Sequence, residues 1–226
     1  MLLKNKKAIL FDLDGTLIDS VPDLANSVNF TLKKINYKQY SENTIRFWVG
    51  NGASTLIRRA LLGKNNVDDF IEDNFFKEAL DIFLDHYSHN LSNNTKLYPN
   101  VKETLKNLKL QNFKMAIITN KPYSFIEPIL TNLDIKEYFD DFIGADSLTT
   151  KKPSSEPLLY MCKKLNIKIE DAVMVGDSKN DIIAAKNANI DSIAVGYGYN
   201  YDEDIDIYNP TYKIDDFKNI IKVLNV

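Results

Sequence analysis

Four short apolar runs constrain the fold of this chain more than any other feature: "AILF" at 8–11, "MAII" at 115–118, "AVMV" at 172–175 and "SIAV" at 192–195. Each is partly β-branched and is followed by a turn or polar residue, the pattern of strands buried on both faces of a parallel sheet. Helical patterns, "PLLYMCKKLNI" and "NDIIAAKNANI", separate the last three runs. Strands alternating with helices predict an α/β, doubly wound, Rossmann-like parallel sheet. The stretch from about residue 20 to 90 differs. "VPDLANSVNFTLKKI", "SENTIRFWV", "GASTLIRRALLG" and "VDDFIEDNFFKEALDIFLDHY" repeat apolar residues every three or four positions and contain no strand pattern. Pro22 suits a first helical turn, and Ser41 with Thr44 marks a weaker helix start. The spacing therefore predicts an all-helical cap over residues 19–90, inserted into an α/β core made of residues 1–18 and 91–226.

The placement of polar residues then points to a site. The carboxyl ends of the strands in an open parallel sheet share one edge, and ligands bind there. Asp12 follows the first run, Thr119 the second, and Gly176–Asp177 the third. Asp12 and Asp14 fall on one side if the strand persists, so one carboxylate can attack while the other donates and then accepts a proton. Asp177 and Asp181, four apart at a helix start, share a face, although capping that helix would employ the same residues. Three or four acids around one point demand a cation, and hard oxygen ligands with room for water and phosphate suit Mg²⁺. "DLDGTLIDSVPD" does not fit a calcium loop. Asp23 falls at its twelfth position, but Leu17 stands where glycine is required and a strand precedes it.

Composition narrows the partners. With 226 residues, 44% of them hydrophobic, the chain can bury a core with a smaller companion. A formal charge of −3 argues against a nucleic-acid binder, which normally carries a basic face, but leaves a locally positive site open. No run approaches the roughly 18 apolar residues of a membrane span, and Asp12 and Asp14 interrupt the N-terminal apolar run, which a signal peptide would not tolerate. The lone Cys162 forms no internal disulfide and reads as a core filler. His86 and His89 lack a third ligand nearby and read as surface residues; Trp48 and Phe75–Phe76 read as cap packing. A cytoplasmic protein, monomeric or homodimeric, is expected.

"FDLDGT" at 11–16, "TN" at 119–120, "KP" at 152–153 and "GDSKND" at 176–181 resemble, in order, the four motifs of the haloacid dehalogenase superfamily, and the helical insertion resembles the cap of its phosphoglycolate phosphatase subgroup. The resemblance implies phosphoryl transfer. Asp12 would be the nucleophile that forms an aspartyl-phosphate, and Asp14 the acid and base. Thr119, with Asn120, would hold phosphoryl oxygens. Lys152 would offset negative charge, and Asp177, the Asp12 carboxylate and the Asp14 carbonyl would bind Mg²⁺. Asp181 would orient Lys152 or a metal-bound water. The chain departs from the family pattern at Ser155, where a second proline is common, and Lys151 competes with Lys152 for the lysine role. The second aspartate favours phosphate chemistry over dehalogenation, and Thr16 stands where β-phosphoglucomutase-like members tend to have valine. "WVGNGASTLIRRAL" at 48–61 and "GYGYN" at 196–200 are similar to phosphoglycolate phosphatase segments. They imply that Arg59, or the amides around Gly50–Gly52, meets a substrate carboxylate. The implied activity is hydrolysis of a small phosphorylated metabolite, foremost 2-phosphoglycolate. A pyrophosphatase, nucleotidase or β-phosphoglucomutase-like phosphotransferase would share the machinery, and a phosphate-sensing binding protein would share the fold.

Overall fold

The computed structural model describes residues 3–201 and 203–225. Its main sheet has six parallel strands in the order β5-β4-β1-β6-β7-β8. The four expected runs form β1 (Ala8–Phe11), β4 (Lys114–Ile118), β6 (Ala172–Gly176) and β7 (Asp191–Val195). Two short flanking strands, β5 (Asp141–Ile143) and β8 (Tyr212–Ile214), complete the sheet. Their sequences, "DFI" and "YKI", are too short and too polar to stand out. A separate antiparallel ribbon pairs β2 (Ile18–Asp19) with β3 (Lys96–Leu97).

Alternation along the strands sorts the core into two layers. Ile9, Phe11, Met115, Ile117, Val173 and Val175 face one side, packed with α5 (Val101–Leu110), α6 (Ile126–Asn132) and α9 (Ile220–Leu224). Ala8, Leu10, Ala116, Ala172 and Met174 face the other, against α7 (Glu156–Lys164) and α8 (Lys179–Asn187). Cys162 is buried in that second layer, as expected of a core filler.

Four helices lie between β2 and β3: α1 (Val21–Lys34), α2 (Glu42–Arg46), α3 (Ala53–Leu62) and α4 (Asp73–Ser88). Pro22 sits in the first turn of α1, and the Ser41 hydroxyl caps α2 by accepting from Thr44 N at 3.2 Å. Trp48 is buried within this helical cap, whereas Phe75 and Phe76 are only half-buried. The His86 ring stacks on Phe30 and meets Ser27 Oγ, and His89 is exposed. Asp23 is wholly buried on α1. Its carboxylate accepts from Asn94 N and Nδ2 and from Thr95 N and Oγ1, which ties the start of the inserted helices to the segment that leaves them. Among the described residues no helix is long and apolar enough to cross a membrane.

The register places the site. Phe11 pairs with Ile117 on one side and Val175 on the other, so Asp12, Thr119 and Asp177 emerge together at the carboxyl edge. From β1 the chain proceeds to β4 on one side, and from β6 to β7 on the other. The connections thus diverge between β1 and β6, which opens a crevice there.

Candidate active site

Asp12 leaves β1 with its amide still bonded to Val175 O at 2.9 Å. Its carboxylate meets Lys152 Nζ at 2.8 Å, and the same ammonium donates to Asp181 Oδ1 at 2.6 Å. Of the two neighbouring lysines only Lys152 meets Asp12: Lys151 Nζ instead donates to Asn51 O, at 2.8 Å, in the cap. Burial would lower the Lys152 pKa, but Asp12 and Asp181 outweigh it and keep the group charged.

Asp12, Asp177 and Asp181 are all buried, and one carboxylate oxygen from each lies within 4.8 Å of the others. Thr16 Oγ1 donates to Asp177 Oδ1 at 2.7 Å and Tyr199 N to Asp177 Oδ2 at 2.6 Å. The second Asp181 oxygen accepts from Ser178 N and Oγ at 3.0 and 2.8 Å. Asp181 therefore caps α8 and binds Lys152 at once, so the two roles weighed for it coexist. Burial, opposed by Lys152 and aided by the neighbouring carboxylates, raises the Asp12 pKa to about 7, and burial with the neighbouring carboxylates pushes Asp177 well above the usual carboxylate range. Once ionised, three carboxylates facing one ammonium would carry two uncompensated negative charges, which a divalent cation held by oxygen ligands would neutralise. Glycines make the cluster possible. At Gly15, with φ +90°, a Cβ would lie 2.2 Å from Asp177 Oδ2, and at Gly198 it would lie 2.2 Å from Asp177 Cβ.

Asp14 faces a different partner. Gly15 turns the chain, and the half-buried Asp14 carboxylate accepts from Lys121 Nζ at 2.9 and 3.1 Å and from Ser20 Oγ at 2.5 Å. Sequence reading missed Lys121. It directly follows the Thr119–Asn120 pair, but nothing local distinguishes it from a solvated lysine. Thr119 is buried at the end of β4, with its hydroxyl accepting from Lys121 N at 3.1 Å. Asn120 is a clasp in this structure. Its amide donates to Lys152 O at 3.0 Å and to Gly50 O, in the cap, at 3.1 Å; Asn180 Nδ2 meets the same Gly50 carbonyl at 3.2 Å.

One cavity joins the two lysines and the carboxylates they meet. Asp12, Asp14, Thr119, Lys121, Lys152 and Asp181 line its core side, and Leu24, Val49, Gly50, Gly52, Leu56, Phe83 and Tyr87 line its cap side. Arg59 does not reach it, contrary to expectation. Its Nη1 donates to Trp48 O at 2.7 Å and its Nε to Asn65 O at 3.0 Å, and its guanidinium stacks over Tyr201. Leu56, Ile57 and Ala60 occupy the inward stripe of α3, which leaves Arg59 on the flank to brace the loops. Gly52 and Ala53, at the helix start, do face the cavity. "GYGYN" acquires a role that its composition does not reveal: besides the amide bond to Asp177, the Tyr199 hydroxyl donates to Asp19 Oδ1 at 2.5 Å. It thereby ties the metal-site carboxylate to the entry of the cap.

Comparison with known proteins agrees with this arrangement. The family model described as haloacid dehalogenase-like hydrolase matches residues 9–195. A phosphoglycolate phosphatase of Colwellia psychrerythraea is 52% identical over 98% of both chains, and one of Psychrobacter arcticus is 47% identical over 97% of this chain and 96% of its own. A crystal structure described as a predicted phosphoglycolate phosphatase from Haemophilus somnus 129pt superposes with a TM-score of 0.91 at 42% identity, covering 97% of this chain and 98% of that one. The family model spans all of β1 except Ala8 and runs to the end of β7, the stretch that holds every carboxylate and lysine of the cavity. The chain belongs to the haloacid dehalogenase-like hydrolases.

Proposed function

We propose that this protein is a Mg²⁺-dependent phosphatase acting on 2-phosphoglycolate through an aspartyl-phosphate. The observation that carries the reading is the separation of two acids onto two lysines within one cavity: Asp12 on Lys152 beside the carboxylate cluster, and Asp14 on Lys121. An Asp12 oxygen attacks phosphorus as the bond to the ester oxygen breaks, and Asp14 protonates the departing glycolate oxygen. Water then attacks the aspartyl-phosphate, Asp14 takes its proton, and phosphate leaves. Two acids are needed because entering and leaving groups lie on opposite sides of phosphorus. Thr119 and nearby amides hold phosphoryl oxygens, Asn120 fixes the closed cap, and Asp181 positions Lys152.

Bound through Asp12, Asp177 and the Asp14 carbonyl, Mg²⁺ would neutralise charge on the transferring group. Residues 19–90 serve as the cap over a core of 1–18 and 91–226, and closure excludes bulk water from the acyl phosphate. The relatives' names support 2-phosphoglycolate, and the apolar cap wall supports a small substrate. A cytoplasmic location, and a monomer or homodimer as the working form, complete the reading.

The test is turnover of a panel of phosphomonoesters, pyrophosphate and nucleotides, with Mg²⁺ and with excess EDTA. The expected result is preference for 2-phosphoglycolate and no turnover in EDTA. Equal rates across the panel, or full activity in EDTA, would overturn the proposal.

A further inference from the structure

Arg59 is spent on backbone carbonyls, so the cation that recognises a substrate carboxylate must be sought elsewhere. Only two cations line the cavity among the described residues, Lys152 and Lys121. Lys152 is held between Asp12 and Asp181. Lys121 is buried to all but 5% of its surface, and its ammonium meets both Asp14 carboxylate oxygens. Its ammonium stands 4.8 Å from the centroid of the Tyr87 ring.

Tyr87 is the second observation. It comes from α4 of the cap, is 1% exposed, and lines the cavity. Its hydroxyl has no hydrogen-bond partner among the described residues. A buried donor without a partner costs free energy unless something else receives it. Burial pushes the Tyr87 pKa up to about 12, so the hydroxyl keeps its proton at neutral pH. The other unpartnered polar atom on the wall, Asn120 Oδ1, only accepts and cannot bind an anion.

We infer that Lys121 Nζ and the Tyr87 hydroxyl together form the subsite for the carboxylate of the substrate, making both specificity-determining residues. The placement suits the chemistry. Asp14 must lie beside the ester oxygen it protonates, and in a phosphorylated 2-hydroxy acid the carboxylate is one carbon away from that oxygen. A cation already bonded to Asp14 therefore stands beside the acid end of the leaving group. Because Lys121 belongs to the core and Tyr87 to the cap, an anionic leaving group would bridge the two and favour the closed form.

The inference rests on the phosphoglycolate reading, and one measurement separates their failures: the ratio of kcat/KM for 2-phosphoglycolate to that for ethyl phosphate, which lacks the carboxylate. Tyr87→Phe removes a single oxygen and should lower this ratio about 10–100-fold, the loss expected for one hydrogen bond to a charged group. Lys121→Met should lower it at least as far, on top of slower turnover of both esters through Asp14. A high wild-type ratio that survives in Tyr87→Phe overturns the subsite and leaves the substrate reading intact. A wild-type ratio near one overturns the substrate reading and the subsite with it. Should Lys121→Met fail to fold, Tyr87→Phe decides alone.

Discussion

Replacing Asp12 by asparagine should make the metal-free protein more stable while ending its turnover. Burial, with Asp181 and Asp14 and against the help of Lys152, raises this carboxyl from 3.8 to about 7. Between those pH values the folded protein keeps a proton that the unfolded chain has lost. The contribution of Asp12 to wild-type stability therefore falls as pH rises from about 4 and levels off above about 7. The full difference corresponds to roughly 4 kcal/mol. An amide of the same shape does not ionise and is spared that penalty. Allowing for rearrangement of the metal-free cluster, the Asp12→Asn variant should gain about 2–4 kcal/mol at pH 8 and under about 1 kcal/mol at pH 4. For a chain of this size each kcal/mol moves the midpoint by about 2–4 °C. Urea and thermal unfolding followed by circular dichroism, in EDTA at pH 4, 6 and 8, measure the gap. Saturating Mg²⁺ should narrow it by stabilising the wild type, which alone keeps the full ligand set. A variant less stable than wild type at pH 8, or a gap equal at pH 4 and pH 8, would refute the reasoning.

Asp14→Asn should slow turnover of 2-phosphoglycolate by about 10²–10⁴-fold, the usual contribution of a general acid and base. Covalent trapping of the phosphoryl group should still map to Asp12, and labelling elsewhere would reassign the nucleophile. Arg59→Ala removes the bonds to Trp48 O and Asn65 O, so it should cost about 1–3 kcal/mol of stability. It should lower activity on 2-phosphoglycolate and p-nitrophenyl phosphate alike; a loss confined to 2-phosphoglycolate would restore Arg59 to the substrate site. Asp23→Ala orphans the donors of Asn94 and Thr95 at the junction of cap and core, and should cost about 3–5 kcal/mol. A change in urea stability below about 1 kcal/mol would show that those donors find other acceptors.

What the sequence by itself determined was whatever depends on local periodicity and on strand ends. Apolar runs at 8–11, 115–118, 172–175 and 192–195 specify the central strands, because a short β-branched run bounded by polar residues has few other ways to bury itself. Once those strands are parallel, Asp12, Thr119 and Asp177 must meet at one edge. The short strands Asp141–Ile143 and Tyr212–Ile214 escape this logic, since they exist through pairing with neighbours already in place. Tertiary structure alone decided which side chains face each other across long stretches of chain. Lys152 rather than Lys151 meets Asp12, because consecutive residues in a loop point apart and one was drawn to Asn51 in the cap. Arg59 turned outward because the inward stripe of its helix is apolar. Lys121 and Tyr87 come together although 34 positions separate them, because one lies in the loop after a core strand and the other in the last turn of a cap helix. A long flexible side chain takes its direction from the charges and walls that the fold brings to it, and no spacing along the chain encodes those.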